Sequence, residues 1–207
     1  MKKFLLSVFA FLPVMAIAQP GPLEVDLGIK AGMNFTRMSG NTWSGGYRSG
    51  VLGGAFASVG VKKIGGQAEV LIGTTSFTGN GGVFDAAGYL LNPMDSTSNG
   101  NFSATYLHIP LLLNLKLFGN ATIQLGPQFS QLLSINDKDK FLNKPAANVF
   151  GESDFAGVVG LQLNLPLKLH AGVRYTFGLT DQATNAPGIN ETWRLSTIQL
   201  SLGFSFL

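Results

Sequence analysis

Two histidines and a small set of acids, bases and serines are the residues in this sequence whose types could do chemistry. His108 and His170, with Glu69, could form a metal site or supply a general base. Their spacing argues otherwise. The histidines lie far apart, with no i,i+4 pair and no second carboxylate nearby, so hydrogen-bonded structural roles are favoured and no metal is expected. Ser103, Ser153 and Ser196 are candidate nucleophiles, but no G-x-S-x-G surrounds them and no base stands beside them. Gly79-Asn80-Gly81-Gly82 imitates a phosphate loop without its following lysine or its strand–loop–helix setting, so it reads as a connector. Asp137 and Asp139 lack the glycine and terminal glutamate of a calcium loop. Cysteine is absent, which excludes disulfides and thiolate sites. The expectation is a protein without catalytic residues, cofactor or metal.

The elements that carry these residues are strands. In Tyr106 to Leu117 the large apolar side chains fall on every second position: Leu107, Ile109, Leu111, Leu113, Leu115 and Leu117. Tyr106, His108, Asn114 and Lys116 lie between them. A period of two marks a strand with two unlike faces. The pattern recurs from Leu23 to Phe35, Gly66 to Phe77, Ala121 to Ser130, Asp154 to Asn164, Leu167 to Phe177 and Thr197 to Phe206. Gly50 to Val61 reads as a further strand whose facing its Gly/Ala content does not assign. Leu71 departs from the alternation, and Pro110 and Pro127 each predict a bulge or a broken ladder.

Eight strands result, and their connectors alternate in length. Arg37 to Ser49, Thr78 to Ser103, Ser134 to Ser153 and Thr180 to Trp193 are long. Lys62 to Gly65, Phe118 to Asn120 and Leu165-Pro166 are short. Short turns at one end and long loops at the other characterise outer-membrane barrels. Charged residues are 12%, against roughly 25% in ordinary soluble domains. Mean hydropathy is +0.26, yet beyond the N-terminus no apolar run approaches the ~18–20 residues of a membrane helix. The fold class expected is therefore all-β: an eight-stranded antiparallel up-and-down transmembrane barrel of outer-membrane type. A soluble lipocalin-like barrel has the same period with its apolar face inward. The abundance of Gly, Ser, Thr, Gln and Asn on the polar face favours a crowded lumen over a water-exposed sheet. Eight strands leave an interior filled by side chains, so a general porin is not expected.

Residues 1–18 read as a secretory signal: Lys2-Lys3, an apolar stretch from Phe4 to Met15, and Ala16-Ile17-Ala18 before Gln19. Residues 19–207 then form the barrel domain, exported to the outer membrane of a Gram-negative bacterium with outer-membrane lipids around it. The formal charge of +3 falls to +1 without Lys2 and Lys3, with 12 basic residues left against 11 acidic ones, so nucleic acid is not an expected partner. Trp43, Tyr47, Tyr106, Tyr175 and Trp193 are expected in interfacial aromatic girdles.

Within the lumen, Lys30, Glu69, His170 and Arg174 fall on polar faces at similar heights. A tilted strand climbs roughly 2.5 Å per residue, which puts the four within about 10 Å of height. An isolated carboxylate there is costly, so Glu69 is expected to meet Arg174 or Lys30. Contact of Glu69 with trapped water is the alternative at this point.

Several segments resemble the PorT-like outer-membrane β-barrel proteins of Bacteroidetes. They are Gly28–Thr36 (GIKAGMNFT), Gln67–Leu71, Tyr106–Leu113 (YLHIPLLL), Gly126-Pro127, Asp154-Phe155 and Arg174–Asp181 (RYTFGLTD), in the family's order. The family more usually has Glu where this chain has His108, and Lys where it has Asn114. The resemblance implies the barrel and its location. Named members are linked to protein secretion across the outer membrane, but most resemble one another only as barrels, so the resemblance leaves function open and a secretion-machinery or surface partner unidentified. The function expected is non-catalytic, whether structural, surface-contact or secretion-associated. The alternative is a barrel enzyme acting on lipid or peptide. The cleavage motif predicts that mass spectrometry of membrane-extracted protein will find Gln19 as the first residue. Retention of Met1 to Ala18 would overturn the export argument.

Overall fold

A computed structural model describes residues 23–40, 42–43, 46–88, 90, 98–140, 142, 151–182 and 191–206. The expected export signal and its Ala18/Gln19 junction lie outside these residues. The strands are β1 (Leu23–Met38), β2 (Arg48–Val61), β3 (Ile64–Asn80), β4 (Asn99–Lys116), β5 (Ala121–Asp137), β6 (Ser153–Leu165), β7 (Leu169–Gly178) and β8 (Leu195–Ser205), with a short helix α1 (Gly81–Ala86). Each strand pairs antiparallel with the next. β1 closes the ring on β8 from Gly28↔Ser205 to Met38↔Leu195.

The alternation turns its apolar face outward. Leu23, Val25, Leu27 and Ile29 of β1, Leu111 and Leu113 of β4, and Leu200, Leu202 and Phe204 of β8 are all exposed, while Lys30, Glu69, Gln124 and Arg174 are buried inside. A lipocalin-like soluble barrel would have the reverse. β2 places Leu52 and Phe56 in the lumen, which settles the strand whose facing the sequence left unassigned. Leu71 also points inward, 1% exposed, so the residue that breaks the alternation of β3 is a lumen residue. Phe56 fits because Gly28 opposite it has no side chain. A Cβ there would stand 2.5 Å from the Phe56 ring.

Both prolines interrupt ladders without moving the register. β3–β4 pairing lapses between Ala68↔Leu111 and Leu71↔His108. β4–β5 pairing lapses between Pro110↔Gln128 and Leu113↔Leu125. Pro110 keeps Gln128 as its partner, and Pro127 keeps Gly157 of β6. The ring therefore stays closed around each missing N–H donor. The register shift lies elsewhere, between Thr105 and Tyr106, where β5 carries Leu133 as an extra residue.

β3, β4 and β5 run well past their expected ends, pairing as far as Asn80↔Asn99 and Phe102↔Asp137. Polar composition alone reads as loop there, yet the backbone ladder continues. The Gly79–Gly82 stretch is likewise more ordered than a plain connector. Asn80 caps α1, its Oδ1 accepting from Gly82 N at 3.0 Å, and Phe84 anchors the helix, fully buried. At the other end the turns are tight. Val61↔Ile64 leaves only Lys62 and Lys63 between strands, and β7 starts at Leu169 because Leu167 and Lys168 take positive φ in the turn.

The sorting of connectors gives a topology test. Single cysteines replacing Asp85 or Lys138, at the long-connector end, should label on intact cells, while cysteines replacing Lys63 or Asn120 should not. The reverse pattern would invert the orientation.

Candidate functional site

The lumen is built in three storeys. The middle of the barrel carries an ionic belt. Glu69 accepts from Arg174 through two parallel bonds, Nη1 to Oε2 and Nη2 to Oε1, both 2.7 Å. Lys30 Nζ stands 2.5 Å from the same Oε1. Lys30, Glu69 and Arg174 are 5%, 1% and 3% exposed. Gln67 Nε2 also donates to Glu69, and Arg174 Nε donates to Gln124 Oε1 at 2.9 Å. Gln124 in turn bonds Asn114 and Gln162. The carboxylate thus meets two cations and an amide, the fully hydrogen-bonded state that makes a buried charge tolerable. Gly160 makes room for the Arg174 side chain, since a Cβ there would lie 2.6 Å from Arg174 Cγ. Lys30 Nζ also sits 5.4 Å from the Phe56 ring centroid.

His170 stands apart from the three belt residues, towards the short turns. Its Nδ1 lies 3.0 Å from Asn164 Oδ1 and its Nε2 2.7 Å from Ser205 Oγ. An amide oxygen can only accept, so Nδ1 carries a proton. His170 is linked to the belt by the amides of Asn164, Gln162 and Gln124, and its ring stands edge-on to Phe56, 5.8 Å between centroids. It borders a vestibule of about 370 Å³ at the short-turn end, also lined by Glu24, Asp26, Lys116 and Lys168. Glu24 and Lys116 pair there, half exposed.

His108 lies in the storey beyond the belt. Its Nδ1 is 2.9 Å from Ser130 Oγ, a serine the sequence did not single out because it stands on a different strand. Ser103, Ser153 and Ser196 are not joined to a histidine among the described hydrogen bonds. Asp137 and Asp139 act as turn caps: Asp137 accepts from Asp139 N and Leu142 N, and Asp139 accepts from Asn101 N at 2.8 Å.

The third storey is an apolar cap at the long-connector end. Trp43 packs edge-on against Phe77, Phe84, Phe102 and Trp193, with centroids 5.0–5.9 Å apart. Leu90 and Leu142 complete the cluster with Met38, Ala104 and Tyr106. Every one of the four long connectors therefore sends a side chain into one core: Trp43, Phe84 with Leu90, Leu142, and Trp193. Glu191 ties the first connector to the fourth, accepting from Thr42 N and Oγ1 at 3.1 and 3.0 Å. The girdle expectation is corrected accordingly. Tyr47 and Tyr175 face outward, whereas Trp43, Tyr106 and Trp193 are buried at 9%, 1% and 0% exposure. Their apolar rings are worth more in a core than at an interface. The inward parity of Phe77 on β3 and Phe102 on β4 was the sequence signal for this cap.

An outward apolar band, a closed ring and a packed polar lumen define an outer-membrane barrel protein. The chain belongs to the outer membrane protein beta-barrel domain family, whose model matches residues 17–183. Among solved structures it is similar to Ail, the attachment invasion locus protein of Yersinia pestis, at 13% identity and a TM-score of 0.44, covering 88% of this chain and 99% of that one. It is similar to Neisserial surface protein A at 12% identity and a TM-score of 0.47, with the same coverages. OprG of Pseudomonas aeruginosa matches at 12% identity and a TM-score of 0.37, over 90% of this chain and 98% of that one. No curated protein matches the sequence.

The belt predicts an uneven response to losing a carboxylate. Glu69→Ala strands two buried cations and should lower unfolding stability by about 3–5 kcal/mol. Glu24→Ala breaks a half-exposed pair and should lower it by about 0–1 kcal/mol. Urea unfolding in lipid vesicles reads both, and equal shifts would show that the belt is not a buried ion cluster in the folded protein.

Proposed function

We propose that this protein is a non-catalytic, closed outer-membrane barrel of the PorT-like group of Bacteroidetes. It is exported by its N-terminal signal, held by outer-membrane lipids around the apolar band, and works through its long outer connectors in surface contact or secretion. The observation that carries this reading is the cap, in which all four long connectors commit apolar side chains to one cluster. Loops used in this way support a fixed outer surface and leave no wide passage. The ionic belt beneath adds a second closure, and a general porin needs neither.

The enzyme alternative has one observation on its side, the Ser130–His108 contact. Both residues lie between belt and cap, on a lumen wall that lipid or peptide does not reach, and a nucleophile needs an approach path for its substrate. A positioned serine alone is not a site. The non-catalytic reading is therefore preferred.

The test joins an electrical and a genetic measurement. Purified protein in planar bilayers should show no steady conductance, and a stable open channel would overturn the closed-barrel reading. A deletion strain should lose secretion or adhesion. Complementation should fail when Asp85, Lys138 and Glu152 on the outer connectors are changed together to Ala, provided that variant still reaches the membrane folded. Full complementation by it would place the function away from the loops.

A further inference from the structure

Between belt and cap lies a cavity of about 30 Å³. At roughly 10–15 Å³ for one water by this kind of measure, it has room for about two. Its wall is unusual in composition. Asn34 Oδ1, Thr75 Oγ1, Tyr106 OH and Thr176 Oγ1 all line it, all are buried, and none has a hydrogen-bond partner among the described residues. The four residues are 2%, 5%, 1% and 5% exposed. Asp154 lines the same cavity, 4% exposed, with no ion-pair partner among the described residues and one long hydrogen bond from Gln182 Nε2 at 3.4 Å. Gly73 keeps the space open. A Cβ at Gly73 would lie 2.9 Å from both Asn34 Nδ2 and His108 Nε2.

We propose that this chamber is a closed hydration site, holding about two bound waters that join the four orphan oxygens to the Asp154 carboxylate. The chemistry of the wall selects the occupant. Asn34 Oδ1 and a carboxylate only accept, so the occupant must donate; the three hydroxyls can take either role. Water offers two donors and two acceptors in the volume present. An apolar occupant would leave every one of these oxygens unsatisfied. A metal cation could use the same oxygens, and the sodium measurement below separates it from water.

Three substitutions read the chamber by sign. Thr75→Val, Thr176→Val and Tyr106→Phe each remove one hydroxyl at nearly constant shape. In a hydrated chamber each loses a hydrogen bond, and the thermal midpoint should fall by about 2–4 °C. In a dry chamber each removes an unsatisfied polar group, and the midpoint should rise. A rise in all three overturns the proposal. Should a variant fail to fold, the wild type in nanodiscs still decides. Water-to-amide cross-peaks at Gly73 and Thr75 are expected, and their absence overturns the proposal. An ion as occupant would show as a midpoint that depends on sodium against choline chloride at equal ionic strength and loses that dependence in Asp154→Asn. That outcome too overturns it.

Discussion

Lipid hydrocarbon offers no hydrogen bonds, and that constraint shapes everything else in this molecule. Each strand crossing the membrane must find its backbone partners in protein, so the sheet has to close. Here the closure is the β1–β8 pairing, which leaves no free edge for a defect to hide in. The two prolines show how the constraint is met locally. Each loses pairing on one side of its strand, keeps a partner on the other, and leaves the register unchanged. The extra residue that the barrel does accept sits at Thr105/Tyr106, near the capped end and away from the middle of the apolar band.

Once the ring is closed, the middle of the barrel is too narrow for bulk water and too polar to be an oily core. Glu69 becomes the organising side chain. Its two oxygens are shared by a bidentate arginine from β7 and a lysine from β1, while the acid itself comes from β3. Three non-adjacent strands are thus tied at one height. Removing all the charges for well-packed apolar groups need not destabilise such a site, so its particular effect is on specificity. A one-residue slip of β1, β3 or β7 would carry a charge from the lumen to the lipid face. The belt therefore penalises wrong registers more than it rewards the right one.

Much of this was legible in the sequence, because a period of two survives any register and names both faces. The strands, their even number, the connector parity and the group of Lys30, Glu69 and Arg174 at one height all follow from it. What the sequence hid was of another kind. Trp43 and Trp193 sit in connectors, where no period tells an interfacial ring from a core ring, and only the arrival of Phe77, Phe84 and Phe102 beside them decides it. The lengths of β3, β4 and β5 were hidden by Thr, Asn and Gly, which read as loop but pair well when a neighbouring strand is already in place. His170 was placed with the belt by height alone. That height assumes a strand starting at Leu167, but Leu167 and Lys168 belong to the turn, so His170 is only the second residue of β7 and stands lower than Arg174, beside Asn164 and Ser205.

The storeys also give the barrel two unlike ends. At the short-turn end the vestibule is open and polar, lined by acids, bases and amides that water can reach. At the long-connector end the lumen finishes in edge-packed rings, with Trp193 and Phe84 fully buried. A cap of this kind is assembled from residues distant in sequence, so it forms only after the strands have brought all four connectors to the same rim. Its rings then have no reason to leave, since opening the cap would expose Trp43, Phe77, Phe84, Phe102 and Trp193 to water together. Burial of one such side chain is worth roughly 1.5–3 kcal/mol, and five opened in concert make a cooperative barrier that a flexible loop does not have. The surface at the long-connector end is held by the side chains that the connectors bury there.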